Sequence, residues 1–324
     1  MASWETIRHI APLNCPSVSG ERNRPTGRGT VGVVVLSHKG SAQIARLVTR
    51  LQTGGDVAVA IHHDPNGEPL KMRPSSSVGL VPDPLPCPWG RLSRAIATRK
   101  SLEWLRANVP SLSWALVISG QDYPIRTMAS IEAELAIAQC DAFLRHFRLD
   151  GDPADDVHPW QTTGRRRYRY RRRLPTSVRS FPLPWPRPHP FRHEARRNRV
   201  GLYVGGNWLN LSARAVDKMV DSPLNKPLFR YLRRAPLPDE AWAATIALSG
   251  EPELTVVNDR RRYIRWPPRS QHPVTLRPAD LPAMTASTDF FARKVDLAAW
   301  PEACDVLDDL AESKDRRHPV VSPT

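Results

Sequence analysis

Apolar residues gather in short runs separated by polar, turn-forming stretches. The first, Val31–Leu36, is continuous enough to form a strand buried on both faces. Ser37-His38-Lys39-Gly40 ends it, and Ile44, Leu47, Val48 and Leu51 then recur at helical spacing. Asp56–Ile61 is a second buried run and closes on His62-His63-Asp64. These three elements predict a βαβ opening.

After a Pro-rich passage from Pro82 to Pro88, Trp89-Gly90-Arg91-Leu92-Ser93 leads into a helix through Ala95, Ile96, Leu102 and Leu105. Trp114–Ile118 reads as a third strand, stopping at Ser119-Gly120-Gln121-Asp122-Tyr123-Pro124. A helix over Ile131–Ile137 and a short strand at Ala142–Leu144 follow. Residues 150–199 are acidic, then strongly basic and studded with proline, and read as an insertion with little regular structure. The pattern resumes with strands at Leu202–Val204 and Asn207–Leu211 and a helix over Ser212–Val220. A second helix starts at Pro238-Asp239-Glu240 and runs to Leu248. Leu254–Val257 and Tyr263-Ile264 read as strands, and Pro301–Leu310 as the last helix.

Strands alternating with helices early, then a mixed second half, predict an α/β sheet with an antiparallel annex. Ligands of such sheets bind at the carboxyl ends of the strands. Here those ends are Ser37-His38-Lys39, His62-His63-Asp64 and Ser119-Gly120-Gln121-Asp122, and all three point to one crevice. Residues 1–29 read as a flexible leader, 30–312 as one domain, and 313–324 as a flexible tail.

A net charge of +15 suggests nucleic acid until it is located. Arg165–Arg199 holds 13 Arg, no Lys and the single acid Glu194, so it carries +12 and leaves only +3 for the remainder. The four cysteines, Cys15, Cys87, Cys140 and Cys304, have neither metal-ligand spacing nor disulfide-scaffold density. They read as free thiols of a reducing compartment. With no signal-peptide pattern and no apolar run of membrane-spanning length, the expectation is a cytoplasmic protein.

The segment Ile118–Ile125 (ISGQDYPI) resembles the signature of the core-2/I-branching β-1,6-N-acetylglucosaminyltransferases and peptide O-xylosyltransferases. Further segments agree in order: Val35–Lys39, Ile61–Asp64, Trp89–Ser93, Gly205–Trp208 with Leu211–Val216, Pro238–Glu240 and Phe290–Lys294. The likeness covers about Val31 to Asp296. It implies a GT-A glycosyltransferase fold, a Rossmann-like mixed sheet flanked by helices, here carrying a long basic insertion. It also implies a UDP-sugar donor, a hydroxyl acceptor and inversion at the anomeric carbon without a bound metal. The donor is then a substrate and no cofactor is expected.

Inverting transfer needs a carboxylate that takes the acceptor proton. By the resemblance that base is Glu240. It follows Pro238 and Asp239 at a helix start, where the amino end would keep a carboxylate ionised. Read without the resemblance, Asp239 and Glu240 are ordinary helix-start acids. The leaving UDP needs fixed cations or a metal. Lys294 matches the family's pyrophosphate lysine. The family's companion Arg lies farther upstream, at the distance where this chain has Gln271; Arg269 is the first substitute, with Arg265 and Arg277 as alternatives. Asp64, with His62 or the backbone around Leu36 and Ser37, is placed at the uridine and His38 on the same donor side, although Asp64-Pro65-Asn66-Gly67 is also a turn sequence. Gly120 and Gln121 are assigned to the donor side, and Asp122 is read either as ordering the loop at the donor sugar or as purely structural.

Asp150-Gly151-Asp152 has the spelling of a metal-binding acid pair, but it lies in a turn-rich loop, whereas GT-A metal acids end the strand that here ends in Ser119-Gly120-Gln121. No metal site is assigned. Trp160, Trp185, Trp208 and Trp242 are candidates for stacking on a sugar; Trp208 and Asp239 are assigned to the acceptor side. Arg165–Arg173 interleaves two Tyr with seven Arg. That pattern suits a lid over an acidic or phosphorylated acceptor, or a nucleic-acid surface in a rival reading that no legible binding module supports.

Overall fold

The computed structural model describes residues 29–151, 161, 164, 165, 167, 168, 170–172, 182–186, 190, 200–267, 270 and 272–317. Thr30–Ser37 forms β1, buried almost throughout because it lies between two parallel neighbours. One neighbour is β2 (Val57–His63), reached through α1 (Ser41–Leu51), whose Ile44, Leu47, Val48 and Leu51 pack on the sheet. β3 (Val78–Leu80) pairs with the outer side of β2. α2 (Ser93–Asn108) then crosses to β4 (Leu112–Ser119), the other neighbour of β1. The chain turns at Gly120-Gln121 into β5 (Asp122–Pro124) and enters α3 (Met128–Ala136), whose first turn is capped by Thr127 Oγ1 accepting from Ser130 N at 3.2 Å.

β6 (Ala142–Phe143) and β7 (His146–Arg148) follow, then an antiparallel pair inside the insertion, β8 (Tyr170–Arg172) and β9 (Pro182–Pro186). β10 (Tyr203–Gly205) pairs with β7, and β11 (Leu209–Ser212) enters the main sheet. Three helices come next: α4 (Ala213–Asp221), α5 (Asn225–Leu232) and α6 (Asp239–Leu248). The chain closes with β12 (Val256–Val257), β13 (Arg262–Ile264), α7 (Leu281–Ala286), β14 (Phe291–Arg293) and α8 (Ala303–Arg317).

The main sheet has the order β12-β6-β11-β4-β1-β2-β3, with β11 antiparallel to both its neighbours. Because successive side chains on a strand face opposite ways, Val34 joins the core on one face while Val33 and Val35 join the core on the other. The first core is filled from α2, α4, α5 and α6, and the second from α1, α3 and α8. The expected mixed α/β sheet flanked by helices is what forms. The annex is a small sheet of its own, β13-β14-β5, in which β14 runs antiparallel to β5.

Two expectations are corrected. The last helix continues past Leu310 to Arg317, because Lys314 is drawn inward, its ammonium donating to the carbonyls of Met284 and Ser287 at 2.7 Å each. The insertion also contains regular structure: β8 and β9 pair despite the prolines, as two-stranded edges permit. Among the described residues no helix is long and apolar enough to cross a membrane.

Candidate active site

Parallel registry brings the ends of β1, β2 and β4 to one edge, with Leu36 beside both His62 and Ser119. At the first two ends a turn folds back over β1. Asp64 N donates to Ser37 O at 2.8 Å, and Glu68 N donates to His38 O at 2.8 Å. Gly67 permits this closure, since a Cβ there would stand 2.1 Å from His38 O. Ser37 Oγ and His63 Nδ1 share a hydrogen bond of 2.8 Å. Asp64 accepts from Asn66 N at 2.9 Å through Oδ1 and from Cys87 N at 2.8 Å through Oδ2. His62, buried with its pKa lowered chiefly by that burial, accepts from Leu85 N at 3.0 Å. Asp64 and His62 thus fasten the Pro82–Pro88 passage across the strand ends, while the His38 side chain stays exposed.

The end of β4 is built around Asp122, which is fully buried. Its Oδ2 accepts from Ser119 N at 2.7 Å, from the Ser119 hydroxyl, and from Arg293 Nη1 at 3.1 Å. Arg293 also donates to Ser119 Oγ, so β14 is tied to the turn after β4. Val295 N donates to Gln121 O at 2.9 Å, and Gln43 Nε2 bonds the carbonyls of Gly120 and Val295 at 2.8 and 3.1 Å. Lys294 therefore emerges beside Gln121. Lys39 lies 3.3 Å from Asp296, which also accepts from Gln121 Nε2 at 3.3 Å. Partial burial, then the charges of Lys39 and Arg293, lower the pKa of Lys294. Two lysines and an arginine from β1, β14 and their flanks thus crowd the strand ends.

The third part is the start of α6. Asp239 is buried, accepts from Asn207 Nδ2 at 2.7 Å and lies 3.8 Å from Arg94 Nη1. Glu240 keeps 21 % of its side chain exposed, and its Oε2 lies 3.2 Å from Arg167 Nη1. Burial, and next the charge of Asp239, push the Glu240 carboxyl up to about 8. Against the helix start, which favours an ionised Glu240, stand burial and the charge of Asp239, while Arg167 and Arg94 favour the carboxylate.

The three parts adjoin. Arg94 exerts its charge on both Arg293 and Glu240. Cys87, bonded to Asp64, feels Arg94 and Asp239; burial and Asp64 push its thiol up to about 11. Trp208, next to Asn207, has the guanidinium groups of Arg293 and Arg260 over its ring at 5.1 and 5.9 Å. Asp64, Trp208, Asp239 and Glu240 therefore belong to one connected neighbourhood, with Arg94 3.8 Å from Asp239 and the buried Asp122–Arg293 pair reaching it through Trp208.

The model of the Core-2/I-Branching enzyme family matches residues 34–288. The chain belongs to the Core-2/I-branching enzyme family. It is accordingly a glycosyltransferase, with a sugar donor and an acceptor, and its mixed sheet is the GT-A-like framework of such enzymes. No curated protein gives a sequence match to it.

Within this glycosyltransferase the assigned residues fare differently. Ser37, Gly120, Gln121 and Lys294 meet at the strand ends; Asp122 lies fully buried beneath them and orders the turn through Ser119 and Arg293, and Asp239, next to Glu240, is bonded to Asn207 beside Trp208. Arg269 and Gln271 lie outside the described residues, as do Trp160 and Asp152. Of the alternatives to Arg269, Arg265 is committed to Asp280 at 2.8 Å. Trp242 is a core residue, 1 % exposed, with its indole N–H donating to Asn225 at 2.8 Å, so its candidacy for sugar stacking is withdrawn. Asp150 accepts from Arg148 Nε at 2.9 Å and Leu202 N at 3.1 Å, the loop role expected of it. Arg165 donates to the carbonyls of Leu149 and Gly151 at 2.6 Å, and with Arg167 on Glu240 both groups serve the protein itself.

Sequence reasoning missed Arg94, Lys39, Arg167, Arg293 and Asn207. Lys39, Arg293 and Asn207 stand inside motifs that were recognised, so the signal for them was present. Nothing in the spacing of Arg94 or Arg167 announces a partner more than a hundred or seventy residues away in the chain.

Proposed function

We propose that this glycosyltransferase transfers a sugar, N-acetylglucosamine or xylose, from UDP to an acceptor hydroxyl in a single inverting displacement without a metal. The observation that carries the reading is the link between the two sides through Asn207-Trp208: Asn207 Nδ2 donates to Asp239, next to Glu240, at 2.7 Å, and the Arg293 guanidinium, next to Lys294, lies 5.1 Å from the Trp208 ring. The acceptor oxygen attacks the anomeric carbon while Glu240 takes its proton. The bond from that carbon to the β-phosphate oxygen breaks, and the electron pair leaves with UDP. Lys294, backed by Lys39 and Arg293, stabilises the charge that grows on the phosphates. Attack and departure occur on opposite faces of the carbon, so the configuration inverts.

Metal independence is supported by the donor set at the end of β4. Ser119, Gly120 and Gln121 offer no acid pair, and the Asp122 oxygen nearest them is already bound by Ser119 and Arg293. A divalent cation needs several free oxygens, whereas here the neighbouring carboxylate of Asp296 is paired with Lys39, and Arg293 and Lys294 add positive charge. A carboxylate pushed up by burial is a stronger base once ionised, which suits proton abstraction from an alcohol.

The test is direct. The full chain is incubated with UDP-N-acetylglucosamine, UDP-xylose or UDP-glucose, with and without EDTA, and UDP release and melting temperature are followed. A donor that binds raises the melting temperature by ligand linkage. Glu240→Gln should keep that rise and lose turnover, and EDTA should change neither. Turnover that survives Glu240→Gln, or that EDTA abolishes, sinks the reading.

A further inference from the structure

The arginine-rich insertion delivers two neighbouring side chains to the start of α6. Tyr168 is completely buried, and its hydroxyl donates to Leu237 O at 2.6 Å. Its own carbonyl accepts from the Tyr231 hydroxyl at 2.6 Å. Leu237 has φ 50, a left-handed conformation that a branched side chain seldom adopts. It stands immediately before Pro238, three residues from Glu240. Tyr168 therefore bolts the insertion to the backbone that aims α6.

Arg167 is next to the bolt, with Nη1 at 3.2 Å from Glu240 Oε2 and only 15 % of its side chain exposed. Among the described residues no other group donates to that carboxylate. Four charged or titratable groups face Glu240: Asp239 on its own helix, Arg94 from α2, and Arg167 with the Tyr168 phenol from the insertion. Asp239 and burial oppose its ionisation, whereas the two arginines favour it.

We infer that Arg167 is a positioning residue for the base, holding Glu240 Oε2 so that Oε1 is left to take the acceptor proton. The inference rests on reading Glu240 as the base, and it gives the basic insertion a role in the chemistry. Arg167 keeps the carboxylate in one orientation. Tyr168 keeps Arg167 in reach. Lysine at 167 would preserve the charge but not the length or the fork of the guanidinium, so it restores only part of the effect.

The experiment uses the full chain labelled with ¹³C at the glutamate carboxyls. The Glu240 resonance is identified by its loss in Glu240→Gln and titrated in wild type, Arg167→Gln, Arg167→Lys and Tyr168→Phe. Removing a cation at this distance should raise the Glu240 midpoint by about one pH unit in Arg167→Gln, with Arg167→Lys in between. Tyr168→Phe should raise it in the same direction and serves as the decisive variant if Arg167→Gln melts below the assay temperature. The rising limb of UDP-sugar hydrolysis should move by the same amount. An unchanged midpoint in a folded variant overturns the inference. Persistent turnover in Glu240→Gln is a separate result: it removes the base assignment and leaves the titration standing.

Discussion

Arg293 Nη1 lies 3.1 Å from Asp122 Oδ2, and the two residues are also register partners across β14 and β5. The pair is nearly dry, with Asp122 at 0 % and Arg293 at 14 % side-chain exposure, and Arg262 Nε stands 3.9 Å from the other Asp122 oxygen. Asp122 is thus the anion that allows two arginines to be buried beneath the donor side of the crevice. Removing one member of a buried pair leaves the other uncompensated, so Asp122→Ala should cost about 3–5 kcal/mol. Urea unfolding would measure it, and a loss below about 1 kcal/mol would place the pair among weak surface bridges instead.

Glu240 makes a prediction about stability as well as rate. Its folded pKa, about 8, is raised above the ordinary 4.5, so between these values the folded protein binds more protons than the unfolded chain. Its contribution to stability therefore falls as pH rises from about 4.5 to about 8 and is constant above that. Glu240→Gln removes the titration, and its melting temperature should gain on wild type steadily through that window. Parallel melting curves from pH 5 to 9 would show that burial does not burden the carboxylate.

Much of this fold is legible in the chain because its core strands are continuous apolar runs. Val31–Leu36 and Asp56–Ile61 can be little else than buried strands, and the polar residues that end them mark the crevice. The antiparallel annex is less legible: β14 is only Phe291–Arg293, and what makes it a strand is its pairing with β5, more than 160 residues earlier. The site divides in the same way. Glu240 and Lys294 come from motifs, but the shift of Glu240 toward neutrality depends on how deeply it is buried, and no local pattern records depth. Arg167 lies in a run of seven arginines that are alike in sequence. Only the burial of Tyr168 singles it out.

Lys294 should matter to nucleotide affinity more than to folding. It is half-buried, and among the described residues its ammonium has no hydrogen-bond acceptor, unlike Lys39, which has Asp296. A charge-assisted hydrogen bond to a phosphate is worth about 1.5–3 kcal/mol, so Lys294→Met should weaken UDP binding by about tenfold to a hundredfold. Because its pKa is lowered, affinity should also begin to fall at a lower pH than for an ordinary lysine. Calorimetric titration with UDP at pH 7 and pH 9.5 tests both statements; equal affinity in wild type and Lys294→Met would remove Lys294 from the phosphate site.

Gly67 provides a test of whether the turn over β1 shapes the nucleotide end of the crevice. A methyl group there would meet the His38 carbonyl oxygen at 2.1 Å, and backbone cannot yield as a flexible side chain does. The turn from Asp64 to Glu68 must open, loosening Asp64 and with it the bond to Cys87 N. Gly67→Ala should therefore cost about 1–3 kcal/mol of stability and weaken UDP binding as well. Gly54→Ala is the control. Gly54 has φ 78 with nothing within 4 Å of its would-be Cβ, so it carries only the conformational cost, about 1–2 kcal/mol, with unchanged UDP affinity. If both variants bind UDP like wild type, the turn serves folding alone, and the nucleotide must be held from the β14 side.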